Sequence, residues 1–430
     1  MIVRLQACKS CLSRGEFPPA NQLRNSRCLS FGARLSVKVL ACFLGLSHGT
    51  NVQASSDPSP GKPSQASYQN QQLNEGPWSI HVARIPRIGG RYDILAVHAH
   101  GAAVGLSTVT DQTKIVSPAR GVPIAAINGD FYQREGVFSG DPRGLQIAEG
   151  ELISAPDGGA SFWVDAIGEL HAGTVHSKLQ VTWPDGTSSD IGLNGARLQG
   201  RAELYTSAMG ASTRARRGRE LVLSHVEQVP WLPLHAGKQY RLKVTGIHEQ
   251  GDTRIVPGTV VLSLDPSVSR RVPRIETGSE IVLSTATEPR LRGVRSAISG
   301  GPVLLRDGKR QAFKPSETES HVLSSMQTRH PRSAVGWNEE FLFLVQVDGR
   351  YPGFSEGMTL AELARHMARL GCREAINLDG GGSSAIWYDG AIRNRPCDGR
   401  ERRVANSLVV VEKRPPKLEP ARSKSESPAP

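Results

Sequence analysis

The sequence predicts an α+β protein with a large mixed β-sheet core and few helices. Short apolar runs with strand character recur through the middle of the chain, separated by turn-forming pairs such as Asp-Gly. A clear helical period occurs in one segment, residues 360–370. Hydrophobic residues make up 38% of the 430 positions and charged residues 21%, a balance that is typical of a globular protein.

Six apolar runs support the strand prediction. They lie at residues 124–127, 221–223, 240–245, 260–264, 281–283 and 341–347. The last run is apolar at every position except Gln346, which is typical of a central strand that is covered on both faces.

The predicted helix has a start signal, an apolar face and a stop signal. Thr359 and Glu362 form the capping-box pattern, in which each side chain accepts a hydrogen bond from the other residue's backbone N–H. Gly371 is the stop signal. The apolar face consists of Leu360, Leu363, Ala364, Met367 and Leu370. Residues 372–378 are then predicted to form a strand that ends at Asp379.

The two ends of the chain differ from its middle. Residues 1–54 are predicted to be a signal peptide with a long n-region, because Arg34 and Lys38 precede an apolar run and a small-x-small cleavage pattern ends at Ala54. Residues 55–76 and 413–430 are polar and rich in Ser and Pro, which predicts a disordered linker and a disordered tail. The folded domain is therefore predicted at residues 77–412.

The positive charge of the chain is concentrated at its ends. The net charge is +12, of which residues 1–54 carry +6 and residues 413–430 carry +3, so the remaining body carries only +3. A nearly neutral body argues against a nucleic-acid partner. The apolar run at 39–46 is too short to span a bilayer, so no stable membrane span is predicted. We expect an exported protein, either periplasmic or secreted.

Cys372 and Cys397 are the cysteines that remain after removal of the signal segment. A pair of cysteines in an exported protein suggests a disulfide. This bond would join the strand that leads to Asp379 to the loop after Asn394. Two unpaired thiols are the alternative.

Four segments share one design, a strand that runs into a polar or glycine-rich turn. They are NGDFY at 128–132, SGGP at 299–302, VDGR at 347–350 and INLDGGGSS at 376–384, and HPRSA at 330–334 lies among them. Glycines that adopt positive φ allow successive N–H groups to point at one anion. The strand ends are therefore predicted to meet at one site. The charged residues that they would gather are Asp130, His330, Arg332, Asp348, Arg350 and Asp379. For a glycine run taken alone, a simple hairpin turn is the alternative.

In their order and spacing, these motifs resemble the phosphodiester glycosidase family, which includes the mannose-6-phosphate uncovering enzyme of animals. The likeness covers about residues 80–412, is weakest at 180–290, and also includes SEGMTLAELA at 355–364 and RNRPCDGRERRVANSLVV at 393–410. The resemblance implies that the folded domain is a catalytic domain of this type and that its substrate is a carbohydrate phosphodiester. Such enzymes hydrolyse the glycosidic bond of a sugar-1-phosphate diester and release a sugar and a phosphate monoester.

The residue types agree with this chemistry on the phosphate side. A phosphate monoester is a good leaving group that needs charge stabilisation more than a proton, and guanidinium groups bind phosphate oxygens in a bidentate manner. Backbone amides can hold the remaining oxygens. The residues predicted to bind phosphate are Arg332, Arg350, Arg402, Gly300, Gly301, Gly380, Gly381, Gly382 and Ser383.

On the sugar side, a carboxylate is needed to stabilise an oxocarbenium-like centre or to activate water. Asp379 is the first candidate for this role and Asp130 the second. His330 is a candidate acid or base, because imidazole titrates near neutral pH. The residues predicted to contact the sugar are Asn128, Asn377, Asn394, Tyr132 and Asp348.

The sequence leaves other interpretations open. It requires no cofactor, yet Asp130, Asp348 and Asp379 offer oxygen ligands that suit a divalent cation. A non-catalytic protein that binds exopolysaccharide or takes part in its assembly would need a similar pocket, and a phosphodiesterase would cleave the P–O bond instead. The chain lacks GxxxxGK[ST], GxSxG and HExxH, which argues against a P-loop enzyme, a serine hydrolase and a zinc protease.

Overall fold

The computed structural model describes residues 65–227, 229–313 and 325–414. The predicted signal peptide and nearly all of the predicted tail lie outside these ranges. Within them the chain is dominated by strands, so the predicted α+β class with few helices is confirmed. No helix in the described ranges is both long enough and apolar enough to cross a bilayer.

The strands in chain order are β1 (Ser67–Leu73), β2 (Trp78–Pro86), β3 (Tyr92–His98), β4 (Val122–Asn128), β5 (Gln146–Ala148), β6 (Glu151–Ser154), β7 (Ala160–Val164), β8 (Leu170–Thr174), β9 (His176–Thr182), β10 (Ser188–Leu193), β11 (Ala202–Tyr205), β12 (Arg219–His225), β13 (Gln239–His248), β14 (Val260–Leu264), β15 (Glu280–Glu288), β16 (Ser296–Ser299), β17 (Val303–Arg306), β18 (Lys309–Arg310), β19 (Arg332–Trp337), β20 (Phe341–Val347), β21 (Glu374–Asn377), β22 (Ile386–Tyr388), β23 (Ala391–Ile392) and β24 (Asn406–Glu412). Helices that lie wholly inside the described ranges are α1 (Val109–Lys114), α2 (Pro266–Ser269) and α3 (Leu360–Arg369), with short 3₁₀ turns at Ala99–Gly101, Ser207–Met209 and Gly381–Ser383.

The strands form three open sheets and a closed barrel. A seven-stranded sheet has the order β1-β2-β20-β19-β21-β17-β18, and two five-stranded sheets have the orders β6-β5-β16-β7-β8 and β23-β22-β4-β24-β3. The barrel has the order β10-β11-β14-β12-β13-β15-β9. The β10–β11 pair is parallel, whereas the other ladders between these strands are antiparallel.

Strand β20 lies at the centre of the seven-stranded sheet. All of its residues are buried, and it pairs with β2 on one side and β19 on the other. Leu342 and Leu344 pack into the apolar core against the sheet that contains β4, while Phe343 and Val345 pack against α3. The prediction of a strand covered on both faces is therefore confirmed.

Helix α3 begins and ends as its sequence signals predict. The Thr359 hydroxyl accepts a hydrogen bond from the Glu362 amide at 3.2 Å, and Glu362 Oε2 accepts one from the Thr359 amide at 2.9 Å. Leu360, Leu363 and Met367 are buried in the core beneath the helix. The helix anchors the segment that leads directly into β21 and Asp379.

The predicted disordered linker at 55–76 is wrong for the part that the structure describes. Residues 67–73 form β1, which pairs with β2 along its whole length. The segment SYQNQQL has little apolar character, so hydrophobic periodicity does not reveal it. Backbone pairing and polar cross-strand contacts hold it in place, including the hydrogen bond from Asn70 Nδ2 to Ser79 Oγ at 3.1 Å.

The barrel replaces part of the single large sheet that the sequence suggested. It occupies most of residues 176–288, and alternating apolar side chains such as Leu204, Leu221 and Leu262 fill its interior. Closure depends on pairing between β9 and β15, which are about a hundred residues apart in the chain. Local sequence patterns carry no information about such a contact.

The predicted disulfide between Cys372 and Cys397 is wrong, because both cysteines are free thiols. Cys372 follows α3 and is buried in the apolar core, where it precedes β21. Cys397 lies beyond the other end of that strand, half-buried, with its Sγ 3.5 Å from Arg350 Nη1. The length of β21 therefore separates the two thiols.

Candidate active site

Hydrogen bonds join three of the predicted motifs at one place. The Asp379 amide donates to the Gly129 carbonyl at 2.9 Å, and Asn128 Nδ2 donates to the Asp379 carbonyl at 2.7 Å. The Gly381 amide donates to the Pro331 carbonyl at 2.9 Å. The ends of β4 and β21 and the start of β19 are thus held together.

The VDGR segment joins the same place through close backbone contact. A Cβ added at Gly349 would lie 2.6 Å from the Pro331 nitrogen, so only glycine allows this approach. Arg350 follows with φ of +65°, which directs its side chain back over the glycine turn. Its Nη2 would lie 3.0 Å from a Cβ built at Gly381.

Asp379 and Asp130 are buried carboxyl groups within one another's electrostatic field. Burial raises the pKa of Asp379 to about 6. Burial also raises the pKa of Asp130 well above its usual range, and the charges of Asp157 and Asp379 add to this effect. The Gly144 amide donates to Asp130 Oδ2 at 3.1 Å and so fixes its orientation.

Hydroxyl and guanidinium groups partly offset the burial of Asp379. The Ser383 side chain forms a hydrogen bond with this carboxyl, and the charges of Arg134 and Arg402 also lower its pKa. Arg402 is itself held by Asp398, with its Nη2 2.6 Å from Asp398 Oδ2. Hydrogen bonds and positive charges therefore favour the ionised form of Asp379, whereas burial favours the protonated form of Asp130.

Arg332 is buried and fixed. Its Nε donates to the Met358 carbonyl at 2.7 Å, and its Nη2 donates to the Ser325 and Thr328 carbonyls at 2.6 Å and 2.9 Å. Burial and the neighbouring Arg350 lower its pKa to about 10. No carboxylate of the described residues forms an ion pair with it, so its charge is available to an anion.

His330 lies within the electrostatic field of the guanidinium groups of Arg332 and Arg350. Burial, Arg332 and Arg350 all lower its pKa, so the ring is neutral at physiological pH. Its Nδ1 is buried and has no hydrogen-bond partner among the described residues. A neutral imidazole with a free ring nitrogen is able to contact a ligand here.

The predicted amide nest at Gly300 and Gly301 is wrong. The Gly300 amide donates to the Ala160 carbonyl at 2.9 Å, and the Gly301 amide donates to the Asn377 carbonyl at 2.7 Å. Both donors are therefore used inside the fold and are not available to phosphate.

The triple-glycine turn serves close packing as well as hydrogen bonding. The Gly380 amide helps to lower the pKa of Asp379 through a hydrogen bond, whereas the Gly381 amide is already bound to Pro331. A Cβ at Gly382 would lie on the guanidinium of Arg402, so only glycine lets that arginine cover the turn.

The three asparagines predicted to contact sugar use their side chains to brace the backbone. Asn128 Oδ1 accepts hydrogen bonds from Ser333 Oγ and the Ala385 amide, and its Nδ2 holds Asp379. Asn394 bonds the Ile386 amide and the Ser384 carbonyl. Asn377 Nδ2 donates to the Gly301 carbonyl, although its buried Oδ1 has no partner among the described residues.

Tyr132 and Asp348 also have structural partners. The Tyr132 hydroxyl donates to the Arg403 carbonyl at 3.0 Å, and its ring is buried. Asp348 Oδ2 lies 3.0 Å from His81 Nε2, and its Oδ1 accepts from the Arg395 amide at 3.0 Å. Both oxygens of Asp348 are thus engaged within the protein, which places it behind the site as a support.

Several residues at or behind the site are not among those predicted from the sequence. His81 connects Asp348 to the Tyr68 hydroxyl, which lies 2.7 Å from His81 Nδ1. Asp398 orients Arg402, and Arg134 acts on the charge of Asp379. Asp398 lies in the motif at 393–410, so the sequence could have identified it as a candidate. His81 and Arg134 belong to no motif.

Within the described ranges, no group of three or more His, Cys, Asp or Glu side chains has an arrangement that would hold a metal ion. Asp348, a candidate ligand from the sequence, is turned toward His81.

Comparison with known proteins finds a family match in the second half of the chain and solved structures with a similar fold. A family model described as phosphodiester glycosidase matches residues 238–411. The chain is similar to the SPbeta prophage-derived uncharacterized protein YomE of Bacillus subtilis (strain 168), with 32% identity over 120 residues. This match covers 28% of the chain and only 18% of the relative.

Solved structures share the architecture at low identity. A hypothetical protein from Synechocystis aligns with a TM-score of 0.63 and 19% identity, over 80% of this chain and 62% of the other. A candidate exported protein from Burkholderia pseudomallei K96243 aligns with a TM-score of 0.60 and 22% identity, over 78% and 74%. At this level of identity the similarity establishes the fold alone.

Proposed function

We propose that this chain is a hydrolase of the glycosidic bond in a sugar-1-phosphate diester, because a family model described as phosphodiester glycosidase matches residues 238–411. The observation that carries the proposal is the buried carboxyl pair of Asp130 and Asp379 beside the guanidinium groups of Arg350 and Arg402. Carboxyl pairs perform glycosidic cleavage, and guanidinium groups bind phosphate.

In this proposal Arg350 and Arg332 bind the phosphodiester group of the substrate. Arg350 and Arg332 have no carboxylate partner among the described residues, and each depresses the pKa of His330. An anion bound between them would remove this repulsion, so phosphate binding is favoured. As the C1–O bond breaks, negative charge grows on the departing phosphate, and fixed cations stabilise it without reorganisation.

The two carboxyl groups have different tasks because their pKa values differ. Asp379, with a pKa of about 6, is ionised at neutral pH and stabilises the positive charge at the anomeric carbon or activates the attacking water. Asp130 holds its proton to higher pH and acts as a neutral hydrogen-bond donor beside it. The oxygen of water then bonds to C1 as the bond from C1 to the phosphate oxygen breaks, Asp379 accepts the proton that the water loses, and the phosphate monoester leaves with its P–O bonds intact.

We further propose that the protein acts outside the cytoplasm on an envelope polysaccharide or glycoconjugate. The predicted signal peptide at 1–54 supports export, and the similarity to a candidate exported protein agrees with it.

The position of bond cleavage tests the proposed reaction. Purified protein is incubated in ¹⁸O-labelled water with a panel of sugar-1-phosphate diesters, and the products are analysed by mass spectrometry. We expect free reducing sugar that carries the label at C1 and an unlabelled phosphate monoester. Label in the phosphate would identify a phosphodiesterase instead.

The same assay separates an enzyme from a binding protein. If ligands of the panel bind but no sugar is released, the pocket serves carbohydrate binding or assembly. An Asp379→Asn variant provides the internal control, since it should bind the diester and release no sugar.

A further inference from the structure

A second concave surface lies on the outside of the barrel, away from the candidate active site. It has a volume of about 740 Å³, which is within the range of small-molecule sites. We call it the barrel groove and define it by Gly150, His235, Lys238, Ser284, Arg290 and Arg292. None of these residues takes part in the proposed hydrolysis.

The barrel groove is cationic. Lys238, Arg290 and Arg292 contribute exposed side chains to its wall, and no acidic side chain is among its described lining residues. Within the described ranges, none of these three cations forms an ion pair. The nearest acid along β15, Glu288, is directed to Lys178 at 3.6 Å.

Hydrogen bonds and close packing hold the backbone segments that carry these cations. Thr285 Oγ1 accepts from the Lys238 amide at 3.0 Å and donates to the His235 carbonyl at 2.7 Å, which ties this turn to β15. A Cβ at Gly237 would lie 2.6 Å from the Leu291 carbonyl oxygen, so the turn packs tightly against the Arg290–Arg292 loop.

The opposite wall and the base of the loop are fixed as well. His235 Nδ1 lies 2.8 Å from the Gly150 carbonyl, which brings the β5–β6 turn to the groove. Leu291 is buried in the barrel core between the two exposed arginines. Two chain segments, the turn with Lys238 and the loop with Arg290 and Arg292, thus present positive charges toward one cavity, and the β5–β6 turn closes it at Gly150.

We propose that the barrel groove is a binding site for a second phosphate-bearing unit of a polymeric substrate. This proposal rests on the proposed function and deepens it, because it makes the substrate a polyanionic glycan with repeated phosphodiesters. Val294 lines the groove, and β16 leads from there to Gly300 beside Asn377, so the groove and the active site are on the order of 20 Å apart. A chain of several repeats spans this distance, whereas a single diester does not.

Titration calorimetry with inorganic tripolyphosphate at low ionic strength tests the groove without any need for catalysis. The groove variant is Lys238→Gln/Arg290→Gln/Arg292→Gln. The matched control is Arg254→Gln/Arg270→Gln/Arg310→Gln, which removes the same charge from exposed positions outside the groove. A third variant, Arg350→Gln/Arg402→Gln, weakens the active site.

We expect two binding sites per chain in the wild type and one in the groove variant. The control variant should keep both sites, with affinities within about twofold of wild type. Unchanged stoichiometry in the groove variant, or equal losses in the groove and control variants, would overturn the proposal. If the groove variant loses one site while the third variant and the control variant keep both, the groove stands and the active-site assignment loses support, so the two failures are distinguishable.

A kinetic comparison connects the groove to the substrate. The groove variant should raise KM at least fivefold for an oligomer with several phosphodiesters, with kcat unchanged, and should leave both constants unchanged for a single sugar-1-phosphate diester. Equal effects on both substrates would contradict a role for the groove in polymer binding.

Discussion

Arg350 combines features that point to ligand binding and not to stability. It is exposed, it has a left-handed φ, and its guanidinium lies over the glycine turn without a carboxylate partner among the described residues. A structural arginine at an exposed turn would gain little from such a position. We therefore expect its charge to act on a ligand bound at the candidate active site.

The first prediction concerns this charge. Arg350→Gln should lower kcat/KM for a sugar-1-phosphate diester by about 100-fold, because a charge-assisted contact to phosphate contributes roughly 2–3 kcal/mol. The melting temperature should stay within about 2 °C of wild type. Arg400→Gln, an exposed arginine of the closing segment, is the matched control and should leave kcat/KM unchanged. Equal activity of the two variants would remove Arg350 from the site.

The pH dependence of activity should follow the two carboxyl groups. Activity requires ionised Asp379, so kcat/KM should rise with pH through about 6. It also requires protonated Asp130, so kcat/KM should fall again at higher pH. Asp130→Asn keeps a neutral donor and should abolish the fall while the rise remains. A pH profile of this variant that still shows both limbs would contradict the assignment.

At the scale of elements, the segment 394–402 depends on a support behind the site. Asp348, at the end of β20, holds the Arg395 amide and His81, and the Tyr351 hydroxyl donates to the Pro396 carbonyl at 2.8 Å. This segment carries Arg402 to the glycine turn. The order of the support therefore determines the position of the guanidinium group that we propose to bind phosphate.

Substitution of Asp348 tests this support. Asp348→Ala leaves the Arg395 amide without this acceptor and removes one partner of the buried His81 imidazole, which keeps its contact to the Tyr68 hydroxyl, at a cost of about 1–3 kcal/mol in the free energy of unfolding. Amide hydrogen exchange in 394–402 should become at least tenfold faster. Asp348→Asn keeps an acceptor oxygen and should give an intermediate rate. Exchange in 394–402 that is unchanged in both variants would show that Asp348 does not order the segment.

A buried carboxyl pair on the outer face of the barrel should make stability depend on pH. Burial raises the pKa of Glu203 to about 8 and that of Asp141 to about 7, and the charge of Asp141 adds to the first effect. Since the folded pKa values exceed the unfolded ones, the stability of this region is full below about pH 4 and is lost as pH rises through 7 to 8.

Glu203→Gln tests this dependence. The Gly195 amide keeps its acceptor, because the glutamine carbonyl replaces the Glu203 Oε1 that binds it at 2.8 Å. The fall in the free energy of unfolding between pH 5 and pH 8, measured in urea, should shrink by an amount on the order of 2 kcal/mol. A fall as large as in wild type would show that Glu203 does not titrate in the folded state.

At the scale of the whole molecule, the features that could be predicted from the sequence are those with a local sequence pattern. Helix α3, strand β20 and the turn at Asp379 have strong local signals, and the structure has them as expected. The convergence of the motif ends also follows from strands that all finish in polar turns. These features allowed the carboxyl pair and the arginines to be named as candidates.

Features that depend on distant pairing escaped prediction. The barrel closes between β9 and β15, and the polar strand β1 is held by its partner and not by apolar residues. Asparagine suits both sugar contact and backbone bracing, so Asn128 and Asn394 were assigned to the wrong task by residue type alone. The disulfide was predicted from the presence of two cysteines alone, which does not show whether the two thiols are close enough to bond.

A crystal structure of the Asp379→Asn variant with a bound sugar-1-phosphate diester would show where the phosphate and the anomeric carbon lie. We expect phosphate oxygens within hydrogen-bond distance of Arg350 and Arg402, with the anomeric carbon next to the side chain of residue 379. A diester bound elsewhere, or one whose phosphorus and not its anomeric carbon faces residue 379, would contradict it.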